Sequence, residues 1–401
     1  MDRLYTRPFA LCALANFAQA VSFSLFLHFP GFLKALGAGE STIGVVVALT
    51  ALSAVAIGPY FGRLMDRRGR RPVIVGGNLL NVGVVGVYLT LHTLSPTLYV
   101  VRLLHGVAET MLSTALFTYA ADIVPPARTA QGLALFGVSA MLALMVGGVI
   151  GDAALAWGGY QALFLTSLGC AVAGLALALP LTESTTLSVH AAEPPRSFRA
   201  TLCQPSLAPL WLVTWMFFFA QAGVFAFMKT YIMATGFGTL GAFFSVYTLT
   251  AIGQRLVFGW VPDRLGLTRT LGPALLAFAL GLLLLGVAGN VWEVWSAGFF
   301  CGVGHGYAFP ILLGLVNRRA PVTERGTAMA IYMAIDNGAM LVAGPVLGWL
   351  IESMGYAPMF RSVAGLLAGT TVLCLLWDRR REAACSPHTC SPRRQPPASK
   401  P

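Results

Sequence analysis

Charge is scarce in this chain. Only 10% of its 401 residues are Asp, Glu, Lys or Arg, whereas a soluble domain carries about 25%. With 57% hydrophobic residues and a mean hydropathy of +0.74, too few polar groups remain to cover a water-facing surface, which excludes an ordinary soluble domain. Catalytic signatures are lacking as well: there is no Gly-x-x-x-x-Gly-Lys-Ser/Thr loop and no metalloprotease helix, so no enzyme activity is expected. The seven cysteines do not form a disulfide framework, because Cys12, Cys170, Cys301 and Cys374 fall inside apolar runs. Cys385, His388 and Cys390 offer two thiols and one imidazole near the C-terminus, too few ligands to expect a metal. No cofactor is expected.

Long apolar runs are what the chain does have. Six lie at 10–34, 42–62, 73–94, 98–120, 130–156 and 161–180, and six more at 207–233, 239–260, 270–288, 292–316, 325–350 and 357–377. At ~1.5 Å per residue, about 20 residues cross ~30 Å of hydrocarbon, so twelve transmembrane helices are expected. The first run is too long for a signal-peptide core, and no small-residue cleavage site precedes the second, so it is read as the first helix. Between the two sets lies a polar, proline-rich linker at 181–206, and a similar tail occupies 378–401; both read as disordered. The organisation is then a bundle over 1–180, the linker, a bundle over 207–377 and the tail.

A formal net charge of +11 would suggest a nucleic-acid partner in a soluble protein. Here most Lys and Arg side chains fall on alternate connections: Arg3, Arg7, the 63–71 loop, Arg128, the linker, Arg264, Arg269, Arg318, Arg319, Arg325 and the tail. Such a bias marks the cytoplasmic face of a membrane protein, and both termini are expected there, which an even number of spans requires. No nucleic-acid partner is expected; the lipid bilayer is.

The chain also repeats itself. Gly62, Asp66, Arg67 and Gly69 return as Gly259, Asp263, Arg264 and Gly266, each 197 residues later, and Arg128 and Arg325 keep the same shift. Gly147-x-x-x-Gly151 and Gly344-x-x-x-Gly348 do so too. A repeat of half the chain is too long for a solenoid unit and implies two pseudo-symmetric six-helix bundles side by side. The fold class expected is therefore an all-α polytopic membrane protein.

The segment Gly62-Arg-Leu-Met-Asp66-Arg67-Arg-Gly69-Arg70-Arg71 resembles the loop between the second and third helices of the major facilitator superfamily, and the resemblance extends over the whole chain. It implies the major facilitator fold, a monomer in a bacterial cytoplasmic (inner) membrane, and an affinity with the twelve-helix drug:proton antiporter-like branch. On this reading the cytoplasmic gate comprises Gly62, Asp66, Arg67, Gly69, Arg70 and its partner Asp122, together with Gly259, Asp263, Arg264 and Gly266. The glycines would permit a tight turn and close helix approach, and the charges would latch the two halves. A purely topogenic basic loop explains Arg67 to Arg71 but not Asp66 or the glycine spacing.

In the fourth run, Arg102-Leu-Leu-His105-Gly106 resembles the Arg-x-x-x-Gly signature of proton-coupled members, and Glu109 follows. Residues 102, 105, 106 and 109 share one helical stripe; Arg102 and Glu109 differ by only ~20° around the axis and ~10 Å along it. Ionisable groups at mid-membrane depth need a partner or a wet cavity. Glu109, Arg102 and His105 are the proton-coupling candidates, with Asp336 in reserve; a structural ion pair is the alternative. Mid-span polar residues on the first, fourth, seventh and tenth runs, which the resemblance places around the central cavity, nominate Gln19, His28, Gln221, Lys229 and His305, with Asn337 beside Asp336, as the substrate cavity. In the fifth run, Gly147-Gly-Val-Ile-Gly151-Asp152 lacks the proline and last glycine of the exporter signature. The expected function is proton-coupled transport of a small organic molecule, with efflux preferred over uptake, and a non-transporting membrane sensor or assembly factor as the alternative of another class.

Overall fold

The computed structural model describes residues 6–125, 128–184, 198–321 and 324–384, and no strand occurs among them. Twelve long helical passages follow one another in these residues. The first six are α1 (Arg7–Ala35), α2 (Glu40–Arg68), α3 (Arg70–Tyr88), α4 (Pro96–Ile123), α5 (129–157) and α6 (160–178). The second six are α7 (Ala208–Thr235), α8 (Leu240–Phe258), α9 (Leu267–Val287), α10 (Val291–Arg319), α11 (Arg325–Met354) and α12 (Tyr356–Ala384).

Helices are forced by a medium in which every backbone N–H and C=O must find its partner within the segment. Their ends are written locally. Thr6, Thr239 and Asn290 cap α1, α8 and α10 by accepting from the amides of Phe9, Ala242 and Trp292. Pro96 and Pro209 occupy first turns, where the missing N–H is harmless. Gly69, Gly236, Gly266 and Gly355 terminate helices with positive φ. The runs at 130–156 and 161–180 meet with no loop between them: the chain turns at Gly158 and Gly159, the latter at φ 63°. α1 tightens into a 3-10 turn at Phe26–His28.

Two expectations about order need correction. Within the supposedly disordered 181–206 linker, Phe198–Leu202 forms a short helix, and the buried Thr201 hydroxyl donates to Glu324 at 3.2 Å. The last helix also runs to Ala384 rather than stopping near 377. Hydropathy marks where lipid ends, and a helix does not have to end there. The Cys385, His388 and Cys390 group lies outside the described residues.

Each half packs as a bundle of six. In the first, Cys12, Phe61, Ile74, Leu112 and Tyr119 form part of the buried core; in the second, Phe217, Phe243, Phe278, Leu312 and Leu347 do so. Large apolar side chains such as Trp157 and Leu256 stay exposed, as expected of a surface that meets lipid chains rather than water. Among the described residues the bundles cross closely at two glycine pairs. Gly44 of α2 meets Gly344 of α11, and Gly148 of α5 meets Gly241 of α8, so closely that a Cβ at any of these positions would press on the opposite backbone. The face carrying the 63–71 and 264–269 turns is called below the basic face, and the other the opposite face.

Candidate functional site

A cavity of about 130 Å³ lies between the bundles, walled by Phe23, Phe26, Arg102, His105 and Glu109 of the first and by Phe225 and Met340 of the second. Gly106 places α4 against α2, since a Cβ there would sit 2.6 Å from Thr50 Cα. Arg102 Nη1 lies 3.2 Å from His105 Nδ1. A guanidinium can only donate, so Nδ1 accepts and His105 is a neutral imidazole with its proton on Nε2. The Arg102 guanidinium is also 4.9 Å from the Phe29 ring centre, a cation–π contact, and His105 stands edge-on to Phe26 at 4.2 Å. Along the same stripe exposure changes abruptly: Arg102 and His105 are buried, while Glu109 and Ser113 are exposed. The cavity therefore opens toward the basic face.

Within the second bundle, His305 Nδ1 pairs with the Tyr247 hydroxyl at 2.5 Å, and Arg255 Nε donates to the Gly306 carbonyl at 2.9 Å. Gln221 is half-buried, and its Oε1 has no hydrogen-bond partner among the described residues. Asp336 and Asn337 are half-buried on α11, where Asn337 Nδ2 donates to its own helix at Met333.

None of the six proposed cavity residues lines this cavity, and three of them are engaged elsewhere. Gln19 is enclosed between α1, α3 and α6: its amide contacts Asn78 Oδ1, donates to Ala171 O at 3.1 Å and accepts from Asn81 Nδ2 at 2.7 Å. Its polar groups are consumed by helix packing, so it is not a cavity residue in this form. His28 and Lys229 lie toward the opposite face and meet at one carboxylate, Asp152, whose Oδ1 is 3.0 Å from His28 Nε2 and 3.9 Å from Lys229 Nζ. The second oxygen, Oδ2, accepts from the Gly241 amide at 2.6 Å. Lys229 reaches across the bundle interface to this carboxylate.

The opposite face is closed by a second set of contacts that the sequence reading missed. Glu40 accepts from Lys34 Nζ at 2.9 Å, from the Thr230 hydroxyl at 3.1 Å and from the Tyr356 hydroxyl at 2.7 Å, while Glu352 accepts from the Ser41 amide at 3.0 Å. These groups rim a surface depression of about 410 Å³. The available signal was an acid near one end of each of two apolar runs, Glu40 before 42–62 and Asp152 late in 130–156, but nothing in their spacing pointed to partners in the other half.

At the basic face Arg70 joins Asp122 Oδ2 at 3.1 Å and Asp66 Oδ1 at 3.3 Å. Glu183 caps α3, accepting from the amides of Arg70 and Arg71 at 2.6 and 3.1 Å. Asp66 and Asp122 belong to the first bundle and Glu183 to the start of the linker, and none to the second bundle, so in this form the cluster does not bridge the halves. Gly69 and Gly266 adopt φ of 87° and 90°; Gly62 faces open space rather than a close helix, whereas a Cβ on Gly259 would strike the Arg255 carbonyl. Arg67, Asp263 and Arg264 are exposed, Arg264 stacking on Trp260 at 4.8 Å.

Two helical bundles around a polar cavity, sealed at one face and open at the other, define a polytopic membrane transporter rather than an enzyme. The family model of the Major Facilitator Superfamily matches residues 9–266 and 210–395, and the chain belongs to that superfamily. It is 25% identical over 382 residues to the uncharacterized MFS-type transporter YhhS of Escherichia coli (strain K12), with 91% of each chain covered. It is 26% identical over 394 residues to YhhS of Salmonella enteritidis PT4, covering 94% of this chain and 93% of the relative. Among solved structures, a POT family transporter with 5-aminolevulinic acid matches at a TM-score of 0.78 with 15% identity, covering 94% of this chain and 97% of that one. The human organic anion transporter MFSD10 matches at 0.70 with 18% identity, covering 92% and 99%. At these identities the structural likeness establishes the fold.

Proposed function

We propose that this protein exports a small organic molecule from a bacterial cytoplasm in exchange for protons, by alternating access between its two six-helix bundles. The basic face is cytoplasmic on this reading, both termini lie there, and the form described is inward-facing. The observation that carries the reading is Glu109: a carboxylate midway along α4, exposed to the cavity, on one stripe with a permanently charged Arg102 and a neutral His105. An unneutralised acid at this depth is expensive unless it exchanges protons or ligands. Apolar walls from Phe23, Phe26, Phe225 and Met340 suit an organic substrate with an apolar body. Export is preferred because three glycines of the incomplete exporter signature remain as close-packing residues, Gly147 and Gly151 against α1 and Gly148 against α8.

The test is transport in reconstituted vesicles under an imposed pH gradient, with a panel of small organic compounds offered from each side. Glu109→Gln is expected to keep substrate binding and to lose gradient-driven accumulation, and Asp336→Asn is examined in parallel. Accumulation that survives Glu109→Gln but not Asp336→Asn moves the proton carrier to α11. Accumulation that survives both substitutions overturns proton coupling through either carboxylate.

A further inference from the structure

The closed outer face holds charges whose balance changes when the bundles part. Glu40 has a fixed cation, Lys34, on its own bundle, in addition to the Thr230 and Tyr356 hydroxyls from the other. Glu352 is exposed. Opening therefore leaves Glu40 paired with Lys34 and returns Glu352 to water. Asp152 is in a different position. Its bonds to Lys229 and the Gly241 amide cross the interface, whereas His28 belongs to its own bundle. When the bundles separate, Asp152 loses the ammonium and the amide together and keeps an imidazole.

We propose that opening of the outer face binds one proton at His28, so that Asp152 exchanges the Lys229 ammonium of the second bundle for an imidazolium of the first. The step balances simply. A proton from outside water adds to the Nδ1 lone pair of neutral His28, Nε2–H stays bonded to Asp152 Oδ1, and the proton leaves Nδ1 when Lys229 returns on closing. Histidine is the side chain that makes this exchange near neutral pH. The other groups around it hold no net charge: the Tyr160 hydroxyl of α6 over Gly31, the Thr239 hydroxyl of α8 beside Asp152, and the Lys34–Glu40 pair. The inference rests on the sidedness proposed above and is independent of Glu109.

Linkage then sets the readout: one proton taken up on opening raises the open-to-closed ratio by up to tenfold for each pH unit that the external pH falls. Leu27 lines the central cavity beneath the outer seal. In a chain with its seven cysteines replaced by Ser, Leu27→Cys is labelled from outside with a membrane-impermeant maleimide, between about pH 8 and about pH 6. Rates in this parent are divided by rates in the same chain carrying His28→Gln, so that the thiol's own titration cancels. The ratio is expected to climb as pH falls, and dividing by Lys229→Gln is expected to give the same climb, because that variant has no ammonium to exchange. A flat ratio against both variants overturns the proposal. Adding Glu109→Gln to both the parent and the His28→Gln chain should leave the climb intact; its disappearance there places the proton on α4 and overturns the proposal at His28. Spin labels at the exposed outer-loop positions Thr93 and Gly289, in the same cysteine-replaced chain with Leu27 restored, give a second reading with no substitution at the seal, with the same pH trend expected and its absence equally decisive.

Discussion

Gly44 and Gly344 offer a perturbation whose effect is confined to one conformational state. A Cβ on Gly44 would fall on the Gly344 carbonyl oxygen, and a Cβ on Gly344 on the Gly44 carbonyl oxygen. Both obstacles are backbone, so no side chain can swing aside; carbon and carbonyl oxygen normally stay about 3.3 Å apart or more, and α2 and α11 must separate. Neither glycine is pressed against its own bundle in this way, so Gly44→Ala leaves each bundle packed and penalises only the outer-closed arrangement. Overpacking of this kind costs about 1–3 kcal/mol, which shifts the closed-to-open ratio by roughly 5- to 150-fold. The assay is the distance distribution between spin labels at Thr93 and Gly289, on the outer loops of the two bundles, where the longer component should grow. Gly147→Ala is the control: its Cβ would meet Ser24 within the first bundle, so it should lower thermal stability without moving the distribution. An unchanged distribution in a folded Gly44→Ala protein would falsify the view that this crossing seals the outer face.

Three further outcomes are expected. Glu183→Ala removes the carboxylate that accepts from the first two amides of α3 and should cost about 1 kcal/mol, seen as a lower midpoint in thermal unfolding; an unchanged midpoint would show that water caps the helix as well. Gly69→Ala and Gly266→Ala, at φ of 87° and 90°, should each cost roughly 1–2 kcal/mol, and equal stability of either with the wild type would remove the strain argument at that turn. Single cysteines at Gln221 and His305 should react with a polar thiol reagent from the basic face, whereas one at the enclosed Gln19 should not; the reverse pattern would exchange their roles.

Much of the architecture was legible because lipid makes simple demands. Apolar length located the passages, and the positive-φ turns at Gly69 and Gly266 explain why both copies of the loop end on glycine. The Arg102, His105 and Glu109 stripe followed from helical periodicity alone. Polar residues within spans were read less well. Gln19 looked like a cavity group because a mid-span amide needs partners, but Asn78 and Asn81 on α3 supply them, and one-dimensional spacing does not distinguish a satisfied amide from a solvated one. The outer seal was hidden for a related reason: Tyr356 and Glu40 are 316 residues apart, and their meeting depends on how two bundles dock rather than on either bundle's pattern.

The docking itself carries the repeat further than the loops do. Gly44 and Gly241 are related by the same 197-residue shift as the loops, and Gly344 is related to Gly147, the neighbour of Gly148. The α2–α11 and α8–α5 crossings are therefore counterparts, one glycine contact made twice. The charges beside them are not duplicated. The shift carries Glu40 to Phe237 and takes Trp349 back to Asp152, so each acid has an aromatic residue as its counterpart. Equivalent backbone crossings let the halves rock about a common axis, and a fully symmetric pair of seals would give both bundles the same dependence on bound protons. Placing both acids on the first bundle, one beside a lysine and the other beside a histidine, confines that dependence to Asp152 and His28. Moving the fixed cation tests this directly: in His28→Lys, Asp152 keeps a permanent partner in both states, and the outer face should open without the pH dependence of the native chain.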